Sequence, residues 1–198
     1  MGDLMELPRE RLGVYCGLAA PLVFLALYGI AMAGDPEYVF FENYLSDLGV
    51  GRMAWAFNSA VIIAGGLTIP FGLLAVRHAL GGGIVAELAV GLTVIAAVFL
   101  VLVGVFTEDY EGTHYIVSMG FFMSFLAALF FYSTKFAFSD KFGHGISIFT
   151  YGAFATGCLL AVLGFDPRTE TVAVLLIIAW GLAMDITLFQ RGADADTY

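Results

Sequence analysis

Apolar runs of about twenty residues recur along this chain, and no other feature narrows its fold so far. The first is "LGVYCGLAAPLVFLALYGIAMA", residues 12–33, and others follow over 54–76, 84–105, 115–134, 146–165 and 171–190. At about 1.5 Å per residue, each run coiled as a helix reaches across a hydrocarbon layer roughly 30 Å thick. Lipid offers no partners to backbone N–H and C=O groups, and the chain lacks the short alternating pattern of a barrel strand. The expected fold is therefore all-α, an integral membrane bundle of six transmembrane helices forming one domain over residues 1–198. A charged share of 13% agrees, being too low to cover a water-soluble fold.

The first run has a rival reading. Arg9 and Arg11 precede it and Ala31-Met32-Ala33 closes it, as in a secretory signal with its cleavage site. It is longer than the usual core of such a signal, about 7–15 residues, so it is taken as a true span. With six spans, Arg9, Arg11, Arg77, Lys135, Lys141 and Arg191 fall on the side of the termini, and Arg52 and Arg168 on the other. The positive-inside bias then puts both termini in the cytoplasm of a cell-membrane protein. The outer side carries Asp35, Glu37, Glu42, Asp47, Glu108, Asp109, Glu111, Asp166 and Glu170, an acidic face that favours cations. A net charge of -9 argues against nucleic acid as a partner and leaves membrane lipid, with association between identical chains open.

Cys16 and Cys158 carry no metal, haem or redox spacing and lie at different depths, so both read as small apolar fillers with no disulfide between them. Gly13 with Gly17, Ala60 with Ala64 and Ala153 with Gly157 have the spacing that lets helices approach closely. No internal repeat is evident. Of the three histidines, His114 lies outside and His78 and His144 inside, which leaves no pair for an outer haem.

Polar groups gather at two depths. The outer cluster joins "ENYLSDLGVGRMAWAFN", residues 42–58, to "FTEDYEGTH", residues 106–114. It offers Glu42, Ser46, Asp47, Arg52 and Asn58 from one segment, and Glu108, Asp109, Glu111 and His114 from the other, with Ser118 one helical turn beyond His114. At the inner depth Glu87 and Asp185 each sit about five residues inside a span, roughly 7 Å past the boundary. An acid there is a functional candidate with Arg77, His78, His144, Lys135 or Arg191 as partner; the plain alternative is contact with headgroup water.

Leu45-Ser46-Asp47-Leu48-Gly49, then Phe57-Asn58, then Gly104-Val105-Phe106 with Glu108, then His114, resembles the multi-pass membrane family catalogued as domain of unknown function 998. The resemblance covers nearly the whole chain and implies a membrane fold without lending an activity. Thr107 stands where that family leads one to expect proline before the acid. The Ser-Asp-x-Gly element is also similar to one in the eukaryotic group of the GPI-anchor remodelling factor and the damage-regulated autophagy modulator, which implies membrane or lipid handling.

Three chemistries fit the outer cluster. Ser46, Asp47 and His114 are the residue types of a nucleophile triad, but adjacent Ser and Asp give awkward geometry and no nucleophile elbow is present. His114 with Asp47, Asp109 or Glu111 supplies ligand types for a divalent metal, without HExxH-like spacing. In a structural network, Asp47 pairs with Arg52, Asn58 bonds loop backbone and His114 bridges the fourth helix. The leading functional expectation is binding of a lipid or small molecule at an outward-facing polar pocket contacted by Ser46, Asp47, Asn58, His114 and Ser118. A lipid-headgroup enzyme, metal-assisted or His-based, and a small-solute or proton-coupled transporter linking the outer cluster to Glu87 and Asp185 are the alternatives. The sequence names no cofactor.

Overall fold

The structure, a computed structural model, describes residues 9–138 and 142–195, with side chains through Arg191. Lys141, Asp196 and the side chain of Asp194 lie outside the described residues. Six helices are long and apolar enough to cross a membrane. We number them α1 (Arg9–Gly34), α2 (Ala54–Leu80), α3 (Ile84–Val105), α4 (Gly112–Ala137), α5 (His144–Leu163) and α6 (Pro167–Ala195). Among the described residues there is no strand.

Each helix packs against its neighbours in sequence, and α6 closes the ring against α1. One end of the ring carries the connections 35–53, 106–111 and 164–166, and is called here the loop end; the other carries the termini. Side chains such as Leu22, Ile95, Phe130, Val162 and Ile186 remain exposed on the outside of the ring. They suit a hydrocarbon surround, since lipid solvates apolar side chains that water would not.

Local chemistry sets the helix limits. The α2–α3 turn uses Gly81 at φ 69° and Gly83 at φ 110°, a region that side chains with a Cβ rarely adopt. At the start of α6, Asp166 Oδ1 accepts the Thr169 amide at 2.8 Å while Thr169 Oγ1 accepts the Asp166 amide at 2.8 Å. Pro167 follows as the first helical residue, where its missing N–H costs nothing. The amide of Thr169 holds the Asp166 carboxyl below its ordinary value.

Small residues bring the helices together. A Cβ on Gly13 would stand 2.6 Å from the Ala75 nitrogen, and one on Gly104 2.7 Å from the Asn58 carbonyl oxygen, so α1 meets α2, and α2 meets α3, backbone to backbone. Ala60, Ala64 and Ala153 are buried, as helix-packing residues should be, and Cys16 and Cys158 are both free. Pro70 removes one amide from α2 and crowds the preceding turn; the helix widens directly after it into a π segment, Phe71–Val76.

Several buried polar groups inside the ring are paired across helices. The Trp180 indole N–H donates to Thr150 Oγ1 at 3.0 Å, and the Thr150 hydroxyl donates in turn to the Ile146 carbonyl at 2.7 Å. Tyr132 and Thr93 share a hydroxyl bond of 2.9 Å. The Trp180 ring lies 4.9 Å from that of Tyr132 and 5.4 Å from that of Phe125. These contacts tie α3, α4, α5 and α6 around one aromatic centre, where polar groups left unpaired would be costly.

Candidate functional site

The 35–53 connection folds inward over the ring. Its 3₁₀ turn, Leu45–Gly49, is held by Asp47, whose Oδ2 accepts the Tyr44 amide at 3.0 Å. The Asp35 carboxylate accepts the amides of Glu37 at 3.2 Å and Arg52 at 3.0 Å, drawing the two ends of the loop together. Asn58, at the start of α2, donates from Nδ2 to the Gly49 carbonyl at 2.9 Å. The loop is also tied to the far end of the chain. The Leu45 amide donates to Glu170 Oε2 at 2.6 Å, and the Tyr44 hydroxyl reaches the Phe165 carbonyl at 3.3 Å.

The 106–111 connection meets this turn from the other side. Its own 3₁₀ turn, Glu108–Tyr110, begins after Thr107, whose φ of -66° is the value a proline ring imposes. Thr107 therefore holds a backbone angle that the expected proline would also adopt. Glu108 comes to rest beside Ser46 and Asp47; burial pushes its carboxyl above the ordinary glutamate value, a hydrogen bond from Ser46 opposes that, and the Asp47 charge adds to it. The Ser46 hydroxyl is also in hydrogen-bond range of Glu170. Ser46 thus stands among carboxyl groups from three separate parts of the chain.

His114 bridges its loop to its helix. Nδ1 lies 2.7 Å from the Phe106 carbonyl oxygen, which can only accept, so Nδ1 carries the proton and Nε2 accepts from the Ser118 hydroxyl at 3.3 Å. Of the sequence-derived candidates, Ser46, Asp47 and His114 gather at the loop end, with Ser118 one helical turn further in. Asn58 serves the backbone of the Leu45–Gly49 turn. Asp109 and Glu111 are exposed, and among the described residues no group of three His, Cys, Asp or Glu side chains is placed to hold a metal ion. Among the described residues no ion pair joins Asp47 to Arg52: the Asp47 carboxylate accepts the Tyr44 amide, and Arg52 is tied into the loop through its backbone amide, which donates to Asp35.

Beneath the loop a cavity of about 140 Å³ runs along the inside of the ring. Leu45, Ser46 and Glu170 line its loop end, Ser118 and Thr93 its middle, and Gly17 and Asp185 its far end. Its walls are mostly apolar, with Phe24, Phe71, Phe125 and Trp180 among them. Asp185 is 1% exposed, whereas the side chain of Glu87 is 44% exposed and is held by the Arg77 guanidinium at 3.1 Å. The two inner acids, alike in depth by sequence, therefore occupy opposite environments.

Sequence reasoning placed Glu170 among the outer acids without giving it a site. A signal was present: Glu170, Val174, Ile178, Gly181 and Asp185 recur at helical spacing, and all five line the cavity from one face of α6. An acid at each end of an otherwise small or apolar stripe marks a helix whose interior face meets something polar at two depths.

Neither the curated proteins nor the solved structures compared with this chain contain a match. The family described as "Protein of unknown function (DUF998)" does match, over residues 18–165, a stretch that takes in most of α1 and all of α2 to α5 and stops short of Glu170 and Asp185. The six-helix membrane chain described above belongs to that family.

Proposed function

We propose that this protein binds a small apolar or amphiphilic molecule of lipid-like chemistry in the cavity beneath the 35–53 loop. The reading rests on one observation: a space of about 140 Å³, walled mainly by apolar side chains, has Ser46 and Glu170 at its loop end. A chamber near 150 Å³ lined by apolar side chains stays dry and accepts a benzene-sized guest. Binding here sets an apolar body against Phe24, Phe71 and Phe125, while a polar tip meets Ser46, Ser118 or Glu170. Asp47, Asn58 and His114 act at one remove, holding the two loops over the cavity. By the bias of basic residues, the loop end faces outward and both termini lie in the cytoplasm.

The test is a titration of purified protein in lipid nanodiscs with benzyl alcohol, followed through tryptophan fluorescence. Saturable binding that is lost in Ala64→Phe, which fills the cavity from α2, is the expected result. A signal that rises linearly with probe, as simple partition into lipid would give, overturns the reading.

Transport is a second reading, supported by the reach of the same cavity from Ser46 and Glu170 to Asp185. Proteoliposomes that show benzylamine uptake above protein-free vesicles would support it; equal uptake would end it.

A further inference from the structure

We infer that the cavity is a site for a hydrophobic cation, a primary ammonium carried on a phenyl-sized or short alkyl body, with Asp185 as its counter-ion. The inference rests on the cavity being a binding chamber at all, and adds the charge of its occupant.

Asp185 is buried in α6 and lines the far end of the cavity, and its Oδ1 has no hydrogen-bond partner among the described residues. Gly17 of α1 faces it; a Cβ there would run into Asp185 Oδ1 and the Phe71 ring, so the space around the carboxyl depends on the missing side chain. An unpaired carboxylate at that depth is costly, and such residues by default mark a partner site.

Among the described residues no partner is supplied from the protein side, and no lysine, arginine or histidine lines the cavity. At that end of the ring Arg77 holds Glu87 at 3.1 Å, Lys135 donates to the Gly82 carbonyl at 3.3 Å, and the Arg191 guanidinium lies 4.7 Å over the Phe142 ring with its Nη1 buried and unbonded; none of the three lines the cavity. The acid at the opposite end, Glu170, already accepts the Leu45 amide.

The walls favour a cation as well. Phe71, Phe125 and Trp180 line the same space, and aromatic faces attract ammonium groups, most strongly where water is excluded. An anion entering this space would meet two carboxyl groups and no compensating donor side chain of positive charge. A neutral guest would fill the volume, and even one with a hydroxyl to donate would bring no charge to balance the carboxylate.

The experiment compares benzylamine with benzyl alcohol, two probes of nearly the same shape, on purified protein in nanodiscs. A Trp55→Phe background leaves Trp180 as the sole tryptophan of the two, so its fluorescence reports the cavity. Benzylamine is expected to bind about tenfold or more tightly than the alcohol, as a charge-assisted hydrogen bond would give. Asp185→Asn should bring the two to equal affinity. Should that variant fail to fold, protection of Asp185 in the parent protein from a hydrophobic carbodiimide, mapped by mass spectrometry, carries the test; benzylamine should slow the modification and benzyl alcohol should not. Equal binding of the two probes in the parent protein, or a preference that survives in Asp185→Asn, overturns the cation site and leaves the binding chamber standing. Failure of both probes to bind removes the chamber and the cation site together.

Discussion

Leu45 and Glu170 are joined by a 2.6 Å hydrogen bond across 125 positions of sequence, amide to carboxylate, at the mouth of the cavity. It ties the 35–53 loop directly to α6, and both groups are buried. Glu170→Ala leaves the Leu45 amide without an acceptor, and the expected cost is about 1–3 kcal/mol. Glu170→Gln keeps an acceptor oxygen and should cost less. Thermal unfolding of the two variants in one detergent checks the order, and equal losses would show that the bond is not the cause.

Glu108 gives the loop junction a pH dependence. Burial raises its carboxyl above the ordinary 4.5, so the folded junction holds the proton more tightly than the unfolded chain does. Its contribution to stability is full below that ordinary value and is lost as pH rises through the raised one. Hydrogen exchange at residues 45–49 should therefore slow as the sample is moved from neutral toward mildly acidic pH, after correction for intrinsic exchange. Glu108→Gln should flatten the trend; an unchanged trend would assign it to another group.

Gly104 stands where α3 touches α2. A methyl group there would meet the Asn58 carbonyl oxygen at 2.7 Å with Val61 and Ile62 side chains equally close, so the helices have to part. Gly104→Ala is expected to destabilise by about 1–3 kcal/mol, as overpacking does. Gly91, which faces open space on the same helix, is the control; its alanine variant should show no such loss in a thermal melt.

Glu87 and Asp185 should respond differently to neutralisation. The Arg77–Glu87 pair is exposed, with 56% and 44% of the two side chains accessible, and Glu87→Gln should change stability by less than about 1 kcal/mol. Benzylamine affinity should also be unaffected by Glu87→Gln. A loss comparable to that of Asp185→Asn would mean that the two acids share one site.

Inside the ring, Thr150→Val removes the acceptor of the Trp180 indole N–H. A buried donor left unpaired costs about 1–3 kcal/mol, and the variant should melt earlier while keeping its volume. Trp180 emission, read in the Trp55→Phe background, should shift with it.

The six spans were legible because lipid imposes one demand on every segment, enough apolar length to cross, and the runs from 12–33 to 171–190 meet it plainly. Two local contacts were legible for a similar reason. Asn58 bonds nearby loop backbone, and Ser118 falls one turn from His114, both within the reach of short-range geometry. The Leu45–Glu170 bond was not, since its partners lie far apart and a glutamate in the first turn of a helix reads as an ordinary companion of the helix dipole. Depth alone could not separate Glu87 from Asp185. Rotation about the helix axis separates them, and it is decided by the neighbours each helix meets around the ring, so only the stripe Glu170, Val174, Ile178, Gly181, Asp185 carried a trace of it.

The closure of the ring by α6 bears on how the molecule is made. A ribosome delivers α1 through α5 first, and until α6 arrives the amide of Leu45 has no acceptor and Gly17 faces no carboxyl. Newborn chains must therefore wait in the bilayer with their central chamber unwalled on one side, open to whatever lipid or chaperone reaches the gap before the final helix does.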